Sequence, residues 1–299
     1  MKQLLAFAGA SLLLIASSNV NAQDKPLFAE GAKPQLVSNQ FSFTEGASVD
    51  KKGNVFFTDQ PNDKIWKYDT DGKLTVFKDH AGRPNGTYFD KKGNLVTCTE
   101  ENNQLWSIDP KGNVTVLFTD LDGKKLNGPN DVWVDDKGGV YFTDPYYQRN
   151  FWTRKQSELD GEKVYYLPKG AKVPTVVISD FRKPNGIVGT PDGKYLYVSD
   201  IDGRKTWKYA INKDGSLSDK QLFVSVGGDG ITLDERGDLY ICANGGITAF
   251  SPKGEKLVFI PVPEPWTANL CFGGKDRNIL FITASKAVYT LPMNVKGVE

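Results

Sequence analysis

Six oxygen-bearing side chains recur at one place in a repeated pattern: Glu45, Asn85, Asn130, Asn185, Asp229 and Asn269. Each stands at the head of a stretch in which a short apolar run, a Gly-containing turn and a second apolar run follow. The copies are FTEGASVDKKGNVFFTD from Phe43, RPNGTYFDKKGNLVTCT from Arg83, LNGPNDVWVDDKGGVYFTDP from Leu126 and KPNGIVGTPDGKYLYVSD from Lys183, with two weaker ones, GDGITLDERGDLYICA from Gly228 and TANLCFGGKDRNILFITA from Thr267. The column residues are 40, 45, 55, 44 and 40 positions apart. Carboxylate and amide oxygens without sulfur or imidazole are ligands for a hard cation, Ca²⁺ first, with Mg²⁺, Mn²⁺ or Zn²⁺ as the other candidates. Turn chemistry alone would account for one Asn-Gly or Asp-Gly. It does not account for Glu45, nor for a column that changes between acid and amide. Glu45, Asn130, Asn185 and Asp229 are therefore expected to hold the ion, while Asn85 and Asn269 stand as turn residues or as pocket wall. The single histidine, His80, lies in the loop KDHAGRP and is read as a solvated loop residue. That leaves no His-based zinc centre and no Ser-His-Asp triad.

These side chains need a scaffold that brings six distant positions together. A repeat of about 45 residues rich in hairpin signals has the period of a four-stranded propeller blade. In such a ring the first strand of every blade lines the central channel, so the column converges at one mouth. The expected fold is all-β: a six-bladed propeller of four-stranded antiparallel blades spanning residues 23–299. The sixth repeat offers only ANLCFG, NILFITA and AVYTLPM, so the segment PQLVSN, Pro34 to Asn39, is expected to supply its fourth strand and close the ring. A linear solenoid fits less well, because no polar capping repeat stands at either end. Cys98 and Cys242 occupy equivalent positions where Thr58, Thr143, Ser199 and Thr283 stand elsewhere. They are read, with Cys271, as small core residues and not as a disulfide. The longest repeat carries an irregular insertion, Tyr146 to Lys163, with Tyr147, Phe151 and Trp152. It departs from the same face as the column and is expected to form a lid or pocket wall. Asp144 and Asp200 end second strands on that face and are candidate pocket residues.

Residues 1–22 have the form of a secretory signal peptide. Lys2 is followed by an uncharged run from Leu4 to Ala16, and Val20-Asn21-Ala22 offers a small-residue cleavage site. The expectation is an exported, periplasmic or secreted protein. Without this segment 36 basic residues face 36 acidic ones. That balance argues against nucleic acid or an anionic membrane as partner. A monomer or small homo-oligomer is expected.

The chain resembles the gluconolactonase/regucalcin (senescence marker protein) family of six-bladed propellers over nearly all of residues 23–299. TEG at Thr44, LNGPND at Leu126, YFTDP at Tyr141, KPNGI at Lys183, GDGI at Gly228 and the closing TANLCFGG…LFITA…VYTLPM carry the likeness. The resemblance implies a divalent ion, usually calcium, on Glu45, Asn130, Asn185 and Asp229. It further implies hydrolysis of a sugar lactone, with Asp229 as general base. Two departures touch the pocket wall. Many relatives carry His-Gly where this chain reads EENN from Glu100, and regucalcin-type members carry an Arg where this chain has Gly128. Organophosphate or aryl-ester hydrolysis on the same site, and a non-catalytic binding propeller, are the alternative readings.

Overall fold

The structure is a computed structural model that describes residues 25–243 and 245–299. The expected signal segment, residues 1–22, lies outside the described residues.

Each repeat folds as one antiparallel four-stranded sheet, strands in chain order from the inside outwards. Blade one is Thr44–Val49, Val55–Asp59, Lys64–Tyr68 and Leu74–Asp79. Blade two is Pro84–Phe89, Leu95–Thr99, Gln104–Ile108 and Val114–Phe118. Blade three is Val132–Val134, Val140–Asp144, Lys163–Leu167 and Thr175–Ile178. Blade four is Pro184–Gly189, Tyr195–Asp200, Lys205–Ile211 and Leu217–Val224. Blade five is Ile231–Leu233, Leu239–Ala243, Gly246–Phe250 and Lys256–Pro261. Blade six is Thr267–Gly273, Ile279–Ala284 and Ala287–Pro292, and its outermost strand is Gln35–Ser38. The closing segment thus pairs where the repeat count required it, Gln35 against Thr290 and Leu36 against Tyr289. Thr44 seals the joint by donating its amide to the Ser285 carbonyl (2.8 Å) and its hydroxyl to that of Ala287 (2.9 Å).

The turns between first and second strands explain why the hairpins form where they do. In blade one Asp50 Oδ1 accepts the amides of Lys52 (2.8 Å) and Asn54 (2.9 Å). Asp90 does the same for Lys92 and Asn94 in blade two. Such Asx turns fix the register locally. The apolar core then forms between blades. Phe57 and Phe281 meet across blades one and six with ring centroids 5.4 Å apart, and both are fully buried. Cys98, Cys242 and Cys271 are buried, unpaired members of these clusters. The hydroxyls at the positions equivalent to Cys98 and Cys242, the unpartnered Thr58 Oγ1 apart, have an added task. Ser199 Oγ accepts the Gly228 amide (2.7 Å), and Thr283 Oγ1 accepts that of Asn269 (2.9 Å), tying second strands to inner ones.

Candidate active site

Where an inner strand passes a column residue, its pairing breaks register. The irregularities fall between Glu45 and Ser48, Pro84 and Thr87, Pro184 and Ile187, and Thr267 and Asn269. A bulge re-aims a side chain locally, and here it marks the column position in four blades. In blades three and five the column residue precedes the strand. Asn130 and Asp229 donate their amides to the carbonyls of Thr143 (2.9 Å) and Cys242 (2.8 Å). Four of the six column residues are followed by Gly, and the reason is contact between adjacent blades. A Cβ on Gly46 would lie 2.0 Å from the Asn85 carbonyl oxygen, and one on Gly186 would lie 2.1 Å from that of Asp229. The glycines let neighbouring inner strands touch and draw the ring tight.

The six side chains are all buried. Asp229 stands beside Glu45 and Asn185, close enough for both to influence its ionisation, and Asn269 Nδ2 donates to Glu45 Oε2 (3.3 Å). Burial, then the charge of Asp229, raises the Glu45 carboxyl well above its ordinary range. Asp229 is pushed up to about 6, chiefly by burial, against the lowering hydrogen bond of Trp266 and the more distant charge of Arg149. The Trp266 indole donates to Asp229 Oδ2 at 2.6 Å. Asn185 Nδ2 donates to the Tyr147 hydroxyl (3.3 Å), which leaves Asn185 Oδ1 buried without a donor. Asn130 belongs to the ring through its backbone carbonyl, which accepts the Gly86 amide (2.7 Å). Asn85 is turned to the wall, where its Nδ2 donates to Glu100 Oε1 (2.9 Å) and its Oδ1 is buried and unpartnered.

The lid lies over this mouth from blade three. Tyr147 reaches Asn185, as above. Trp152 is buried, its indole donating to the Glu100 carbonyl (2.7 Å), with the Arg154 guanidinium over its ring at 4.3 Å. Phe151 is half-buried and lies against the Arg83 guanidinium (4.3 Å) and edge-on to Trp152. Asp144 and Asp200 are employed elsewhere. Asp144 accepts the amides of Asn127 and Gly128 (both 2.9 Å), and Asp200 those of Arg182 (3.1 Å), Lys183 (2.9 Å) and Gly203 (3.0 Å). Both shape the loops that enter an inner strand. His80 is exposed, 3.7 Å from Asp63.

Residues 43–286 match the family described as "SMP-30/Gluconolactonase/LRE-like region". The chain belongs to this family. It is 28% identical over 284 residues to a gluconolactonase of Zymomonas mobilis, covering 85% of this chain and 79% of that one. A solved gluconolactonase from Xanthomonas campestris superposes with a TM-score of 0.82 at 27% identity, over 90% of this chain and 91% of the other. The fold is shared more widely. A calcium-binding regucalcin from Agrobacterium tumefaciens superposes with a TM-score of 0.75 at 17% identity, over 91% and 97% of the two chains.

The donor set of this mouth suits the divalent ion the family implies. Two carboxylates in mutual contact are costly to bury without a countercharge, and the orphaned Asn185 Oδ1 is an acceptor with nothing to accept. Among the described residues no group of three or more His, Cys, Asp or Glu side chains is arranged to hold a metal. A cation held here would need amide oxygens beside the carboxylates, as hard cations allow. Two neighbours escaped the sequence reading. Trp266 sits outside the repeat pattern and left no signal. Asp131 did leave one, because it stands where four other copies have Gly. Its carboxyl is buried, accepts the Val132 amide (2.9 Å), and is pushed up to about 7 by burial.

Proposed function

We propose that this protein is a cation-dependent hydrolase of sugar lactones in which Asp229 takes the proton of the attacking water. The reading is carried by the convergence of Glu45, Asn185 and Asp229 at one channel mouth, beside a buried amide oxygen that no protein donor meets. Similarity to the Zymomonas gluconolactonase over most of both chains supports the substrate class. Glu45, Asn130, Asn185 and Asp229 would hold the cation, calcium in this reading. When bound, it would polarise the lactone carbonyl and offset the charge that develops on its oxygen.

The chain's own residues supply the rest. Trp266 fixes one oxygen of Asp229, leaving the second to accept a proton from water. At neutral pH Asp229 is ionised and so able to take that proton. Water adds to the carbonyl carbon, the ring C–O bond breaks, and the departing alkoxide receives the proton that Asp229 carried. The product is an open-chain hydroxy acid. Tyr147 and the lid limit the access of bulk water to this mouth. Residues 1–22 would direct the enzyme out of the cytoplasm.

The test is acid release from a panel of aldonolactones, with calcium and with chelator. Hydrolysis that chelation abolishes and calcium restores is the expected result. A folded, calcium-loaded protein that opens no lactone would refute the assignment.

A further inference from the structure

The two departures from the family pattern, Glu100 and Gly128, are neighbours in space and are filled by the same lid. Glu100 is buried and binds the Arg149 guanidinium at two points, Nε to Oε2 and Nη2 to Oε1, both at 2.5 Å. The same carboxylate accepts Gln60 Nε2 (2.7 Å) and Asn85 Nδ2 (2.9 Å). Gly128 has φ 153°, and a Cβ there would lie 2.9 Å from Trp152 Cη2. A side chain at residue 128 would therefore displace the lid. Arg149 Nη1 makes no hydrogen bond to the described residues, and the Arg149 side chain keeps 29% of its surface exposed over a Glu100 that keeps 2%. Its Cζ lies 5.7 Å from the Tyr147 ring, and the hydroxyl of that ring meets Asn185. A continuous line of contacts thus runs from blade two through Arg149 to the column.

We infer that Arg149, delivered by the lid and locked by Glu100, is a substrate-positioning residue whose free Nη1 binds a ring hydroxyl of the lactone. The inference rests on the lactone reading above. A guanidinium held by two bonds has fixed direction, and a charged donor discriminates strongly for an acceptor placed to meet it. Because Glu100 already balances its charge, Arg149 selects a neutral hydroxyl and not an anionic substituent.

Arg149→Met and Arg149→Lys, with Glu100→Gln as a variant that leaves the arginine in place, are to be assayed on a parent aldonolactone and its series of single deoxy analogues at saturating calcium. In wild type, one deoxy analogue loses kcat/KM by on the order of 10- to 100-fold, the value of a hydrogen bond to a charged donor. Arg149→Met is expected to raise KM for the parent by a comparable factor and to show no further loss on that analogue. Glu100→Gln should show the same pattern more weakly. A loss of equal size on every lactone, or a lowered melting temperature with wild-type discrimination, makes Arg149 only an anchor for the lid and overturns the inference alone. A wild type inactive on all lactones overturns the functional reading and this inference with it.

Discussion

Asp200 and Asp229 are both buried carboxylates at the inner-strand mouth, and they are held in opposite ways. Asp200 lies across the sheet from Pro184, next to Asn185, and spends its oxygens on three backbone amides. Asp59 in blade one follows the same rule, accepting the amides of Ser42 and Phe43 and the Asn62 carboxamide. Asp229 has one indole donor and otherwise faces a second carboxylate and an amide. Charge buried with a full set of donors builds loops, whereas charge buried without them is left to be completed by something that binds. One fold uses the same residue type for both purposes in adjacent blades.

The sharpest way to break this contrast is Asp229→Asn. It keeps an oxygen for the cation and removes the proton acceptor, so kcat should fall by ~10²–10⁴-fold with calcium still bound. Turnover at saturating calcium, beside calorimetric binding, decides it. A variant that binds calcium and turns over at the wild-type rate makes Asp229 a ligand only. Asp200→Ala should do the reverse. Three amides lose their acceptor, stability drops by about 2–4 kcal/mol, and turnover per folded molecule changes little, read by thermal melting and kcat together.

The under-satisfied set should also show itself in pH dependence. Burial raises Asp229 to about 6 and Asp131 to about 7, and raises Glu45 well above its ordinary range. Folded values above the unfolded ones mean that the stability these groups contribute is complete at low pH. It is lost as pH rises through about 6 to 7. Chelated protein should therefore melt at progressively lower temperature from pH 5 to pH 8, and calcium should reduce the slope to the part that Asp144, Asp238 and Glu299, also raised by burial away from the cation, contribute. An equal melting temperature at both ends without calcium would contradict it. Glu45→Gln should weaken calcium affinity on the order of tenfold, with activity recovered at excess calcium. Phe151→Ala, which loosens the contacts with Arg83 and with the edge of Trp152, should move KM about twofold at constant kcat.

The fold was legible because its determinants are local and repeated. An Asp two residues before the amide it binds, a Gly at the crossing of two blades and alternating apolar residues each leave their mark in most copies. The missing strand of blade six was legible for the same reason, as a gap in a count. The column was legible as a set of positions. The contacts around it were only partly so. Asp144 and Asp200 read as pocket residues because strand ends fix where a side chain stands, not which amides a following loop turns towards it. Asn85 and Asn269 share a column but not a task, since one faces Glu100 and the other Glu45. Trp266 reaches Asp229 from an irregular connection, where periodicity says nothing. The lid has no period either, so its arginine became visible only with the glutamate that holds it.

The strand Gln35–Ser38 has a consequence for the order of events during synthesis. Its partner, Ala287–Pro292, lies roughly 250 residues downstream. At ~5–20 residues per second, the ribosome needs on the order of ten to fifty seconds to deliver that partner. Throughout this interval the early strand is an orphan and the growing array has open edges, the geometry that invites pairing with another chain. Closure is then the last and most entropically demanding contact, joining the two most distant parts of the molecule. An open chain can exchange this strand with a neighbour, so the yield of closed rings is expected to fall as the concentration of unfinished copies rises.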